Sequence, residues 1–243
     1  MRFKVEFETE KETLPLDYRR KLISYLKDSL EDYNHEIYKA MYKDGHRPKG
    51  FCFGIYFLPE VDIAKGGITL HSKRFIANFS TYDVLVGVHL INAFLLKRGK
   101  WTSLADTGNK LKVQKVVKLP EHRINSNTVG FKTLSPIAVR DHDRETSKDW
   151  YLTFEDEGFE EIWKRNMITE MQGALGRDVS SDVKEMKFKP IKLKKTVVLN
   201  YDIYIPSTIG SFVIEGEKYL LDYIYKAGMG SRRALSFGCL DVL

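Results

Sequence analysis

At 243 residues and 43% hydrophobic content, the chain is long enough for one large domain or two of about 120 residues with ordinary cores. The 39 Lys+Arg against 33 Asp+Glu leave a net charge of +6, which favours an anionic partner without demanding one. No apolar run approaches membrane-spanning length, and the two cysteines, Cys52 and Cys239, have neither disulfide nor metal-ligand spacing, which argues against a membrane span and fits a reducing compartment.

The opening Met-Arg-Phe-Lys-Val-Glu-Phe-Glu alternates polar and apolar residues, so Arg2–Glu8 is predicted as a strand with Phe3, Val5 and Phe7 on one face. It contains no signal-peptide apolar region, and a soluble, cytoplasmic protein is expected. From about Asp17 to Leu30, Leu22, Ile23, Leu26 and Leu30 form a helical stripe. A second short helix starts at Asn34, a good N-cap, and carries Ile37 and Met41. Residues 45–50 are a polar loop. Phe51–Leu58 and Gly67–Phe79 read as two strands around a turn. Val84, Val88, Ile91 and Leu95 mark a helix ended by Gly99, and Leu111–Leu119 reads as a strand. The order is βαββαβ, a ferredoxin-like arrangement.

The polar stretch Pro120–Asn127 is the predicted boundary, dividing the chain into residues 1–122 and 123–243. The second half repeats the order loosely. Thr128–Val139 reads as a strand and His142–Phe154 as an inserted hairpin. Gly158–Leu175 reads as a helix, and 186–214 as a long pair of strands. Glu217–Ala227 is a helix with Leu220, Tyr223 and Ile224 inward, and Leu235–Val242 a last strand. The fold class is therefore α+β, two tandem ferredoxin-like (RNA-recognition-motif-like) domains. In such sheets strand aromatics can stack bases, and Phe131, Phe188 and Phe237 are candidates, although strand aromatics more often serve the core.

Two basic features bear on function. In Gly228-Met-Gly230-Ser231-Arg232-Arg233, the glycines permit positive φ and close backbone approach, while the serine and arginines add donors, so the loop reads as a phosphate grip running into the last strand. It is not a dinucleotide loop, which opens a helix, nor a Walker loop, which needs Gly-Lys-Ser/Thr. Lys184–Lys195 holds six lysines in twelve residues, alternating with Met186, Phe188, Ile191 and Leu193. Lys187, Lys189 and Lys192 either contact an RNA backbone or protect a solvated sheet edge.

With the tandem domains, the terminal Gly228-Met-Gly230 followed by Phe237-Gly238, and Phe131-Lys-Thr-Leu-Ser-Pro-Ile-Ala-Val139 as the opening strand of the second domain, the chain resembles the CRISPR-associated repeat-processing endoribonucleases of the Cas six family. The resemblance implies metal-independent cleavage of CRISPR repeat RNA by the ribose 2′-hydroxyl, leaving a 2′,3′-cyclic phosphate and a 5′-hydroxyl. It points to His46 in the polar loop as the proton-transfer residue and to Lys49, just before the Phe-Cys-Phe strand, as the stabiliser of phosphate charge. Tyr25 is the nearest match to a tyrosine on the first helix, with Tyr38 and Tyr42 as rivals. The partner implied is repeat RNA, with other CRISPR effector subunits or a second copy of the chain left open. No cofactor is expected, and Asp141-His-Asp143, the only local metal-ligand cluster, reads as a hairpin tip. A non-cleaving RNA-holding subunit shares the same features, and a domain binding a small phosphorylated ligand fits the terminal loop but not the extended lysine strand.

Overall fold

The structure, a computed structural model, describes residues 1–44, 49–143 and 145–243. The first domain opens with β1 (Arg2–Thr9), a short β2 (Thr13–Leu14), α1 (Tyr18–Tyr33) and α2 (His35–Tyr42). Asn34 caps α2 by accepting from the Ile37 N–H at 3.0 Å, as its position in the sequence predicts. Then follow β3 (Phe51–Phe57), β4 (Val61–Ala64), β5 (Gly67–Leu70), β6 (Arg74–Thr81), α3 (Val84–Leu96), β7 (Trp101–Leu104) and β8 (Asn109–Leu119). The main sheet runs β3-β6-β1-β8-β7, all antiparallel; its first four strands have the ferredoxin-like order. Leu22, Ile23, Leu26 and Leu30 of α1 are buried against it. Cross-strand aromatics pin the register: Phe3 stacks on Phe79 and Phe7 on Phe75, each with centroids 5.0 Å apart.

The second domain holds β9 (Thr128–Thr133), the hairpin β10 (Val139–His142) and β11 (Asp149–Leu152), α4 (Phe159–Leu175), α5 (Ser180–Glu185), β12 (Lys187–Asn200), β13 (Ile203–Glu215), α6 (Lys218–Ala227), a 3₁₀ turn at Arg233–Leu235, and β14 (Leu240–Val242). Its sheet order β12-β13-β9-β14 repeats that of the first domain. The tandem ferredoxin-like architecture is thus present, and Leu220, Tyr223 and Ile224 of α6 face inward.

Three predicted strands are shorter than the sequence suggests. The stretch Gly67–Phe79 breaks at His71-Ser-Lys73, where Lys73 takes φ 53°, and β5 leaves the main sheet to pair with β2 and β4. Thr128–Val139 breaks at Ser135-Pro136, because proline cannot donate to a ladder. The last strand begins only at Leu240, since Leu235 closes the 3₁₀ turn. β7 carries too few apolar residues to be recognised by alternation. The stacking-platform reading of the phenylalanines is overturned: Phe131 and Phe237 are wholly buried, and Phe188 packs on Trp163, Phe159 and Phe212. Cys52 and Cys239 are free and buried.

The two domains are locked together by polar and close-packed contacts. The buried Arg2 of β1 donates to the Leu240 carbonyl at 2.8 Å and lies over the Tyr225 ring at 4.4 Å. Ser80 Oγ donates to the Lys226 carbonyl at 2.8 Å. A Cβ on Gly54 would meet the Leu134 carbonyl oxygen at 2.4 Å, so only glycine lets β3 pass so near the β9–β10 connection.

Candidate RNA-binding and catalytic cleft

A cleft of about 530 Å³ opens between the domains. The first domain lines it with Lys27 from α1, Tyr42 from the end of α2, and Lys49 just before β3; the second contributes Arg140 of β10, Glu170 of α4, and residues 231–235 of the terminal loop. Lys27 follows Ile23 by one helical turn, so burying the α1 stripe delivers its ammonium to the cleft rim. The Tyr42 ring has two ammonium groups near it, Lys27 Nζ at 5.1 Å and Lys49 Nζ at 4.9 Å from its centroid. Burial, with Lys27 adding to it, lowers the Lys49 pKa. Burial pushes the Tyr42 hydroxyl well above its ordinary value, so the phenol keeps its proton at neutral pH. That hydroxyl has no hydrogen-bond partner among the described residues.

The two adjacent arginines have different fates. Arg232 sits in the left-handed region at φ 58° and keeps 21% side-chain exposure. It donates from Nε to the Tyr151 hydroxyl and lies 3.8 Å from Asp149, which also accepts from Arg140 at 2.6 Å. Burial works against the Asp149 carboxylate, but hydrogen bonds from Arg140 and His142 outweigh it and hold its pKa low. Arg233, at 6% exposure, is turned inward by the 3₁₀ turn and pairs with Glu170 at 2.9 Å, donating also to the Gly228 carbonyl at 3.3 Å. The expectation that both arginines present free donors to a phosphate is corrected here: Arg232 faces the cleft, whereas Arg233 anchors the loop to α4.

The glycines are corrected likewise. Gly228 (φ 85°) and Gly230 (φ 82°) do need positive φ, but the close approaches they permit are to protein: a Cβ would meet the Gly238 carbonyl at 2.7 Å and the Ala138 carbonyl at 2.6 Å respectively. Ser231 donates its N–H to that Ala138 carbonyl at 2.7 Å, and its Oγ accepts from the Arg140 N–H at 3.4 Å. The loop is a packed shelf that carries Arg232 and, through Ser231, holds the backbone of Arg140 on β10.

Of the other expected residues, Lys49 lines the cleft, and His46 lies outside the described residues. In sequence, His46 falls between two cleft-lining residues, Tyr42 and Lys49. Tyr25 is buried in the first domain's core, its ring edge-on to Phe7 at 5.9 Å and its hydroxyl pushed up to about 12 by burial. It is a packing residue away from the cleft, because position 25 falls within the α1 stripe. Lys187, Lys189 and Lys192 sit on β12, an edge strand outside the cleft. A bulge between Pro190 and Lys192 breaks their alternation and leaves Ile191 exposed, while Lys189 pairs with Glu215. At the hairpin, Asp141 pairs with Arg165, His142 with Asp149, and Asp143 caps its own turn. Among the described residues, no group of three or more His, Cys, Asp or Glu could hold a metal ion. Sequence reasoning missed Lys27 and Arg140, which belong to regular elements and acquire a common direction only when the domains pack.

Two ferredoxin-like domains facing each other across a cleft lined by Lys27, Lys49, Arg140 and Arg232, with the glycine-rich terminal loop in its wall, define a tandem-domain architecture with a cationic interdomain cleft. The family pattern described as CRISPR associated protein Cas6, C-terminal, matches residues 118–242, about half of the chain, and the chain belongs to the Cas6 family. A CRISPR-associated endoribonuclease-like protein Cas6 of Pyrococcus furiosus is 30% identical over 115 residues, 46% of this chain and 47% of that protein, so the match spans about half its length. Among solved structures, the product of a Cas6-related gene from Pyrococcus furiosus superposes with a TM-score of 0.86 at 22% identity, covering 100% of this chain and 98% of that one. A RAMP protein binding different RNA substrates superposes at 0.85 and 20% identity, covering 100% and 99%. At these identities the superpositions establish the fold.

Proposed function

We propose that the protein is an endoribonuclease that binds CRISPR repeat RNA in the interdomain cleft and cuts it without a metal ion. The observation that carries this reading is the convergence of Lys27, Lys49, Arg140 and Arg232 from both domains on one cleft, beside the chain segment that includes His46. Family membership supports it, as does the endoribonuclease-like description of the Pyrococcus relative.

In this reading the cleft holds the scissile phosphate with the preceding ribose in line. His46 transfers the proton, since an imidazole titrating near 6.5 can work as base or acid at neutral pH. The 2′-oxygen forms a bond to phosphorus as its proton leaves, the bond to the 5′-oxygen breaks, and that oxygen takes up a proton, leaving a cyclic phosphate and a 5′-hydroxyl. Lys49, half-desolvated beside Lys27 and Tyr42, stabilises the charge building on the phosphate oxygens more strongly than a solvated lysine would. Arg232 and Arg140 hold the RNA backbone. Tyr42 takes the place foreseen for Tyr25, a phenol at the cleft with its proton retained.

The test is single-turnover cleavage of repeat RNA in EDTA. Wild type cuts, a substrate with deoxyribose 5′ of the scissile phosphate binds but is not cut, and His46→Ala binds normally while cutting slower by about 10² to 10⁴. RNA bound but intact would instead make the protein a non-cleaving carrier, and dependence on added divalent metal would reject the mechanism.

A further inference from the structure

The chain has only two cysteines, one in each domain and 187 positions apart, and the fold brings them together. Phe51 and Phe53 of β3 point into the first domain's core, so Cys52 between them faces the second domain, as does its cross-strand partner Ser80. There its sulfur lies against Gly228: a Cβ on that glycine would meet Cys52 Sγ at 2.9 Å and the Gly238 carbonyl oxygen at 2.7 Å. Gly238 is the residue before Cys239. The Cys239 thiol reaches back to β6, donating to the Asn78 carbonyl at 3.9 Å, and Asn78 pairs with Gly54, two residues beyond Cys52 on the same strand. The two thiols hydrogen-bond to each other, Cys52 donating, and both are wholly buried.

Their surroundings differ. Burial pushes the Cys52 thiol up, whereas Cys239 is held below its ordinary value because it accepts the Cys52 hydrogen bond and lies near the Arg2 guanidinium. Cys239 is therefore the sulfur that attacks first, and Cys52 the one that closes the bond. A buried cysteine that serves only as a small hydrophobe needs no second sulfur beside it. Two sulfurs in contact across a domain boundary have a chemistry that neither has alone.

We propose that Cys52 and Cys239 form a covalent latch between the two domains, a dithiol site whose oxidant is a small-molecule disulfide such as oxidised glutathione. The Cys239 thiolate attacks the small disulfide, whose S–S bond breaks and releases one thiolate. The Cys52 thiolate then attacks the Cys239 sulfur of the mixed disulfide, the Cys52–Cys239 bond forms, and the second small thiolate leaves. Two electrons pass from the cysteines to the small disulfide, and the two protons shed by the cysteines go to the released thiolates. The bond closes a loop from residue 52 to residue 239, and so long a loop removes more entropy from the unfolded chain than a short one. It ties β3 to the segment leading into β14, beside the Arg2 and Ser80 contacts, so the domains whose closure makes the cleft can no longer separate. Neither sulfur lines the cleft, so the latch is independent of what the cleft does to RNA.

Because the folded chain shields both sulfurs, the test is made through refolding. The full-length protein is unfolded in urea with its thiols reduced, refolded in a mixture of oxidised and reduced glutathione, then denatured again with an alkylating agent and weighed intact. Wild type is expected to resist alkylation, to be lighter than the reduced chain by two hydrogens, and to yield one linked peptide containing Cys52 and Cys239. Its thermal midpoint should rise by on the order of 10 °C, a rise that added dithiothreitol abolishes. Cys52→Ser and Cys239→Ser should show no such rise, and Cys52→Ala and Cys239→Ala replace them if serine is not tolerated in the buried site. A wild-type protein with native circular dichroism and both thiols open to alkylation, a disulfide formed only between chains, or an oxidised form melting no higher than the reduced one would each overturn the proposal.

Discussion

Replacing Glu170 with alanine removes the only carboxylate among the described residues that pairs with the Arg233 guanidinium, which is 6% exposed and cannot shed its charge. Breaking a buried pair from one side costs about 3–5 kcal/mol. The lower end applies here, because Glu170 keeps 22% exposure at the cleft wall and Arg233 retains the Gly228 carbonyl, so the expected loss is about 3 kcal/mol. With a urea m-value of about 3 kcal/mol/M for a chain of this size, the unfolding midpoint should fall by about 1 M. The reverse deletion is milder. Glu170 already has its pKa raised by burial, with Arg233 working the other way, so in Arg233→Met it escapes by taking up a proton. A folded-state pKa above the unfolded one gives stability present at low pH and lost as pH rises through the folded value. The Arg233→Met defect should therefore be small near pH 4.5 and grow toward neutrality. The double variant Glu170→Leu/Arg233→Met should recover much of the loss, giving a coupling of about 2–3 kcal/mol in the cycle. A Glu170→Ala loss below about 1 kcal/mol together with negligible coupling would mean that Arg233 is not a buried, anchored cation, and the division of labour between the two arginines would fall.

That division predicts different binding phenotypes: Arg232→Ala should reduce the log–log salt slope of RNA affinity by about 0.7 to 1, whereas Arg233→Met should lower affinity with the slope unchanged, as titrations over a range of salt concentration will report. Gly238→Ala should cost about 4 kcal/mol or more, since φ is 65° and a Cβ would lie 1.9 Å from the Met229 carbonyl oxygen, while Gly158→Ala, at φ 81° with open space around it, should cost only about 1–2; thermal melts compare them. The lowered pKa of Lys49 means that its charge is lost at lower pH than for an exposed lysine, so RNA affinity should weaken on the alkaline side at lower pH in wild type than in Lys49→Arg, which should extend the plateau upward. On β12, charge reversal at Lys187 and Lys192 should weaken RNA binding if the edge strand contacts the backbone, with Lys189, already held by Glu215, contributing least; unchanged affinity in all three assigns the lysines to solubility.

Much of the fold is legible in the sequence, because the signals are local. Phe3, Val5 and Phe7 alternate because one face of β1 is buried, and Leu22, Ile23, Leu26 and Leu30 recur at helical spacing because α1 lies across that face. Asn34 stops one helix and caps the next with its own side chain. Lys49 was within reach of the sequence because it lies just before a recognisable strand. Tyr25 and Tyr42 were not distinguishable, since each is a tyrosine on a helix near the same loop; only the packed domain shows that one belongs to the buried stripe and the other to the rim. Arg232 and Arg233 are neighbours of the same residue type, and a left-handed residue followed by a 3₁₀ turn sends one toward the cleft and the other to Glu170, a partner 63 positions away in the chain. The terminal glycines announced positive φ correctly, but what presses against them, Gly238, Cys52 and Ala138, comes from β3 and from other turns. Sequence patterns carry periodicity and conformational allowance over a few residues; which charge is buried, which is free and which groups converge on one cleft depends on two domains closing on each other, and this only tertiary packing decides.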